Sequence, residues 1–214
     1  MLTAEEIRAR LQSMGEPAYC AFAARLLPRG VRLLGVRLPA LRAMARELAR
    51  AGEWQLPTAG DAYMEELMLR GMLIGYATGL SLQERLAALR DFVPLITNWS
   101  VCDSCCATYG FARKHREQVW AWLQPCLASA GEFEARFGVV MLLQHFKQEA
   151  AWAARVAAAL PTVPAQGYYA EMALAWCACE LCLLYPAQEE ALLAALRPSV
   201  RRLALRKLRE SLRR

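Results

Sequence analysis

The chain has 214 residues, 57% of them hydrophobic, and a formal net charge of +6. This length fits one domain or one continuous superhelix with a large core. No apolar run reaches the roughly 18 residues that a membrane span needs. The charged amino terminus MLTAEEIRARL lacks the apolar region of a signal peptide. We therefore expect a soluble cytoplasmic protein with no membrane partner.

Helical periodicity runs along the chain and is interrupted at proline and glycine. Alanine, leucine and arginine are abundant, and all three favour helices. The pattern predicts helices near 3–13, 16–27, 38–51, 62–79, 81–91, 98–109, 113–128, 131–146, 148–159, 166–184, 187–196 and 198–213. RGVRLLGVRLP, residues 29–39, is the one short segment with strand-like character.

Short loops between consecutive helices indicate antiparallel helix pairs. Each pair spans about 35 to 40 residues, near the length of a HEAT-type repeat. The predicted fold is all-α, an α-solenoid of HEAT-like antiparallel pairs with about twelve helices, forming a single domain over 1–214. A solenoid has a concave surface that suits a long ligand. A globular helical bundle is the alternative that periodicity leaves open.

Two cysteine pairs, Cys102-x-x-Cys105 and Cys179-x-x-Cys182, have the spacing of two halves of a zinc site. Both pairs lie in apolar helical segments, whereas structural zinc pairs usually occupy polar turns. Buried free cysteine is also common as a small hydrophobic residue. The two histidines have no metal-binding spacing. We therefore expect reduced thiols, no metal and no cofactor.

ITNWSVCDSC, residues 96–105, combines an indole and a carboxylate in an apolar segment. Asn98 is a favourable N-cap, so a helix is expected to begin there. Trp99 and Asp103 are four residues apart and therefore share one helix face. A carboxylate beside an aromatic face suits a cationic partner, which is either a core arginine or a ligand.

Two further residues are candidates for function. Arg136 lies between apolar residues in EFEARFGVVMLLQHF and needs a partner or an anionic ligand. Trp176 lies in YYAEMALAWCACELCLLYP, an apolar helix that must be deeply packed. Tryptophans are core anchors more often than ligand platforms, and Asp103 with Arg136 is also consistent with a structural salt bridge. Spacing alone assigns no site.

The carboxyl-terminal segment LRPSVRRLALRKLRESLRR, residues 196–214, carries most of the excess positive charge. Such a segment suits a polyanionic partner. The alternative is the solvated face of an amphipathic last helix.

Five blocks in order resemble the DNA alkylation repair family of HEAT-like-repeat glycosylases. They are GVRLPALRAMARELA, EELMLRGMLIGYA, ITNWSVCDSC, ARFGVVMLL and YYAEMALAWCACE. The resemblance implies a concave basic groove that holds duplex DNA. It also implies excision of cationic N3- or N7-alkylated purines, with the lesion left in the base stack, so no deep base pocket is expected.

Residue roles follow from the same resemblance. The family's catalytic aspartate corresponds to Asp103, and its two tryptophans to Trp99 and Trp176. Its phosphate-binding arginine corresponds to Arg136, and Tyr168 and Tyr169 occupy positions where the family often has aromatic residues. A carboxylate would stabilise the oxocarbenium-like transition state and orient water. Each indole would favour the cationic lesion or its sugar by roughly 0.5 to 2 kcal/mol. Further phosphate contacts are expected from basic residues near the carboxyl terminus: Arg201, Arg202, Arg206 and Lys207.

The leading function is a monofunctional, monomeric glycosylase acting on double-stranded DNA with alkylated bases. No lysine is placed for a Schiff base, so we expect an abasic site and no lyase step. A non-catalytic HEAT-repeat protein that binds unusual DNA structures is one alternative. A protein-interaction scaffold of helical repeats is another.

Overall fold

The structure is a computed structural model that describes residues 2–56 and 61–212. The described residues form twelve α-helices and no β-strand, which confirms the all-α prediction. Two compact units divide the chain, Met1–Phe111 and Ala112–Arg214. The stacking of helix pairs into a superhelix and the single domain over 1–214 stay predictions. No helix in the described part is both long and apolar enough to cross a bilayer.

The first unit contains six α-helices in its described residues: α1 (Ala4–Ser13), α2 (Pro17–Ala24), α3 (Leu38–Arg50), α4 (Met64–Tyr76), α5 (Leu82–Phe92) and α6 (Trp99–Cys106). The described residues of the second unit form another six: α7 (Arg116–Ala128), α8 (Glu132–His145), α9 (Ala150–Ala159), α10 (Tyr168–Leu184), α11 (Glu189–Ala195) and α12 (Pro198–Glu210).

Most predicted helices end one to three residues too late, for local reasons. α6 ends at Cys106 rather than at 109. Just after its end, the Thr108 hydroxyl donates to the Cys105 carbonyl at 2.7 Å. α4 ends at Tyr76 rather than at 79. The Arg85 guanidinium donates to the carbonyls of Gly75 and Ala77 at this helix end. The predicted break at Pro57 to Gly60 and the end of the last helix at 213 lie outside the described residues.

Helix α4 is the centre of the first unit and packs against α1, α3, α5 and α6. Its contact with α6 is unusually close, because Gly71 and Gly75 present no side chain there. A Cβ at Gly71 would collide with Cys105, and one at Gly75 would collide with Thr108. The Tyr109 hydroxyl also donates to the Gly71 carbonyl at 3.1 Å. This packing fixes the depth at which α6 lies.

The strand-like segment is an extended loop over 31–37 that a buried carboxylate holds. Glu65 accepts the backbone N–H groups of Leu34, Gly35 and Val36 at 2.9, 2.8 and 3.2 Å. Gly35 has φ +82°, a conformation that favours glycine. The two sequence blocks GVRLP and EELM are therefore partners in space: one supplies the loop and the other its acceptor.

Helix α10 is the centre of the second unit and packs against α8 and α12. Lys147 forms an ion pair with Glu180 of α10, largely shielded from solvent. Arg197, at the start of α12, donates to the Val163 carbonyl at 3.0 Å and pairs with Glu171 of α10 at 3.2 Å. These contacts fix both ends of α10 within the unit.

Candidate functional site

The amino terminus of α6 has the cap that the sequence predicts. The Asn98 side-chain oxygen accepts the Val101 N–H at 3.1 Å, and Asn98 itself is buried. A capping oxygen satisfies an N–H group that the first helical turn leaves without an internal partner. The helix therefore begins at Trp99, and Asp103 lies one turn later on the same face.

Helix α6 has two contrasting faces. Its buried face consists of Val101, Cys102, Cys105 and Cys106. Its half-exposed face consists of Trp99, Ser100, Asp103 and Ser104. The predicted indole and carboxylate therefore both reach the surface of the first unit, and neither lies in its core.

The indole of Trp99 is held by a contact far away in sequence. Its Nε1–H donates to the Leu26 carbonyl, just after α2, at 3.0 Å. That bond orients the ring while leaving it half-exposed. An anchored indole loses less conformational freedom when it contacts a ligand, so the cost of binding is lower.

The cysteines behind Asp103 are structural. Burial raises the pKa of the Cys105 and Cys106 thiols well above the ordinary value, so both stay protonated at neutral pH. The Cys105 thiol donates to the Met68 carbonyl at 3.4 Å. Within 2–56 and 61–212, no three His, Cys, Asp or Glu side chains are arranged to hold a metal ion.

Arg136 is buried, only 5% exposed, and it holds the start of α10. Its Nη1 donates to the Tyr169 carbonyl at 2.7 Å. One turn earlier on α8, Glu132 accepts the Tyr169 N–H at 2.6 Å. Glu132 and Arg136 of α8 thus bind the N–H and the carbonyl of the same residue of α10, Tyr169. The phosphate contact of Arg136 stays a prediction, and its observed role is to join α8 to α10.

Trp176 occupies a singular position on α10. All residues from Ala173 to Cys182 are buried except Trp176, which is half-exposed. Tyr169 lies two turns earlier, on the same face. The core-anchor interpretation therefore does not describe Trp176 fully, because part of its ring meets solvent within the second unit.

The two predicted tyrosines differ in their surroundings. Tyr168 is 63% exposed. Tyr169 is half-exposed and stacks on Phe133 of α8 with ring centroids 5.4 Å apart. Their own rings meet edge to face at 5.2 Å. Tyr168 is thus the side chain that is open to a partner, and Tyr169 is the one that α8 fixes.

Helix α12 is amphipathic, as the sequence predicts. Val200, Ala204 and Leu208 form its buried face. The predicted basic residues of α12 lie outside this buried face. Arg201, Arg202 and Arg206 are exposed, and Lys207 is half-exposed. Arg206 pairs with Glu210 at 2.8 Å, and this partner raises the pKa of the arginine. The positive charge of Arg206 is therefore partly offset within the helix.

Sequence reasoning missed Glu132, although a signal was present. Glu132 precedes Arg136 by four residues, and this spacing places both side chains on one face of α8. It also missed the serines beside Asp103. Ser100 and Ser104 are four residues apart, and Asp103 follows Ser100 by three, which is the spacing of one polar helix face.

A comparison with protein families accounts for the five ordered blocks. The family model described as DNA alkylation repair enzyme matches residues 7–207. The chain belongs to this family. Comparisons with curated proteins and with solved structures gave no match. Membership in the family supports a role in DNA repair and DNA as the partner, and both units contribute to the match.

Proposed function

We propose that this member of the family is a DNA glycosylase that excises cationic N3- or N7-alkylated purines from duplex DNA. It would hydrolyse the N-glycosidic bond and leave an abasic site. The observation that carries the proposal is the half-exposed pair of Trp99 and Asp103 on one face of α6, in a chain whose family match covers residues 7–207.

Asp103 would act on the sugar. A cationic alkylpurine is already a good leaving group, so its departure needs no strong general acid. As the bond breaks, positive charge develops on the deoxyribose, and a fixed carboxylate lowers the energy of that state. The same carboxylate would orient the water that attacks the anomeric carbon. The free base leaves with the electron pair of the broken bond.

The tryptophans would recognise positive charge. The face of an indole attracts a cation, and a neutral purine gains much less from it. Trp99 is anchored by the Leu26 carbonyl and lies on the same face of α6 as Asp103. Trp176 is the half-exposed tryptophan of α10 in the second unit. Selectivity for alkylated over normal bases would then come from charge and from the ease of bond cleavage.

Tyr168, Arg201 and Arg202 are exposed and would contact the DNA backbone. Arg136 would support binding chiefly as a positioning residue, because it is buried and bonded to Tyr169. Arg206 and Lys207 would add salt-dependent attraction. No metal or cofactor enters this mechanism.

The decisive experiment measures release of free base from duplex DNA that contains N7-methylguanine. Asp103→Asn keeps the shape of the side chain and removes its charge, so we expect about a 100- to 1,000-fold loss of single-turnover rate. Asp91→Asn is the matched control, since it removes an exposed carboxylate of the same unit. The control should release base at the wild-type rate.

Two results would overturn the proposal. If the wild type binds the duplex and releases no base, the protein is a non-catalytic DNA-binding member of the family. If Asp103→Asn and Asp91→Asn release base equally fast, Asp103 is not the catalytic group.

A further inference from the structure

Helix α3 carries a row of three arginines that the proposed mechanism does not use. Arg42, Arg46 and Arg50 follow one another at four-residue intervals, so they share one face. Arg42 is half-exposed, and Arg46 and Arg50 are exposed. The opposite face is apolar and buried, formed by Leu41, Met44, Ala45, Leu48 and Ala49. The row is therefore a surface of the first unit.

Four other arginines of this unit pair with carboxylates within it: Arg8 with Glu66, Arg10 with Glu47, Arg32 with Asp61 and Arg37 with Glu16. In the described part of the chain, no carboxylate pairs with Arg42, Arg46 or Arg50. Glu47, the glutamate of α3, forms its ion pair with Arg10 of α1.

The middle arginine of the row is partly fixed in place. Its guanidinium carbon lies over the Tyr76 ring, 5.0 Å from the centroid. Stacking uses the flat face of a guanidinium and leaves the N–H groups at its edge able to donate. Arg46 is thus held in a defined position while its donors remain available to an anion.

We infer that Arg42, Arg46 and Arg50 bind consecutive phosphates of one DNA strand. The row rises about 6 Å per step and spans about 12 Å in all. Consecutive phosphates of one strand advance about 3.4 Å along the duplex axis and also rotate about it, so their direct separation is larger than this advance and close to the step of the row. The inference rests on the proposed function only in taking duplex DNA as the partner.

Salt dependence tests the inference directly. The probe is an unmodified fluorescent duplex, whose binding is measured by anisotropy between low and moderate salt. Each lost phosphate contact lowers the magnitude of the slope of log K against log salt by about 0.9. For Arg46→Gln with Arg50→Gln we expect a loss of about 1.8 in slope, whereas Arg46→Lys with Arg50→Lys should retain most of it.

A matched control removes the same net charge elsewhere. Arg90→Gln with Lys114→Gln changes two exposed cations outside α3 and lowers the net charge from +6 to +4, as the α3 variant does. The inference predicts an unchanged slope for this control. Equal loss in both double variants would overturn it, because the effect would then come from overall charge alone.

The outcome is separate from that of the proposed function. If the α3 variant keeps the full slope while wild type still releases N7-methylguanine, the phosphate row is wrong and the glycosylase proposal stands. If wild type shows no salt-dependent affinity for duplex DNA, both are overturned. Circular dichroism of each variant confirms that the helices are intact.

Discussion

The two helices that carry the candidate tryptophans begin in different ways. Helix α6 supplies its own cap, because Asn98 accepts the N–H of Val101 three residues later. Helix α10 has Gly167 before its first residue and no side-chain cap of its own. Its first turn is instead held by Glu132 and Arg136 of α8. One start is local in sequence, and the other depends on a helix more than 30 residues away.

This difference indicates which substitutions would disturb each candidate tryptophan. The Asn98 cap holds the first turn of α6 through a contact three residues away, although the Trp99 indole also depends on the distant Leu26 carbonyl. The first residues of α10 have no cap of their own and are held by side chains of α8. Damage to α8 would therefore disturb Tyr169, and with it the helix that bears Trp176.

The largest expected effect is at the remote start. Gly167 has φ +104° and ψ 155°, a region that is essentially restricted to glycine, and a Cβ there would lie 2.5 Å from Glu132 Oε1. Gly167→Ala should lower the free energy of unfolding by about 4 kcal/mol from backbone strain and collision together. In a Glu132→Ala background the same change should cost only about 2 kcal/mol. Urea titration of the four proteins measures both values, and equal costs would mean that Glu132 does not crowd Gly167.

A smaller effect is expected at the local start. Asn98→Ala removes the cap of α6 and should cost about 1 kcal/mol of unfolding free energy by urea titration. Asn98→Ser keeps a capping oxygen and should recover most of that loss. If serine is no better than alanine, the buried amide matters for packing and the description of a locally capped helix is wrong.

The smallest effect concerns the distant hydrogen bond of Trp99 at the start of α6. Trp99→Phe keeps an aromatic ring and removes the N–H that reaches the Leu26 carbonyl, so the expected cost is about 0.5 to 1 kcal/mol. Trp54→Phe, at another half-exposed tryptophan of the first unit, is the control and should cost less. If Trp99→Phe lowers the free energy of unfolding more than Asn98→Ala does, α6 depends more on a distant contact than on its own cap. The two helix starts would then not differ as described.

The same contrast explains what the sequence can predict. All twelve helices are predicted from periodicity, and the Asn98 cap from residue type, because both depend on neighbours within a few residues. The acceptors Glu65 and Glu132 are not predicted, since each bonds to backbone about 30 residues away or more. Burial of Arg136 is likewise set by the packing of α8 against α10. The roles of Asp103, Trp99 and Trp176 came from family resemblance and stay predictions.

The buried thiols behind α6 have a consequence for the durability of the protein. Alkylating agents that damage DNA also attack sulfur, and they react with the thiolate far faster than with the thiol. Cys102, Cys105 and Cys106 are shielded from solvent, and the raised pKa of the Cys105 and Cys106 thiols keeps those two protonated. We therefore expect these buried thiols of α6 to react slowly with alkylating electrophiles, the class of agent whose DNA products the family repairs.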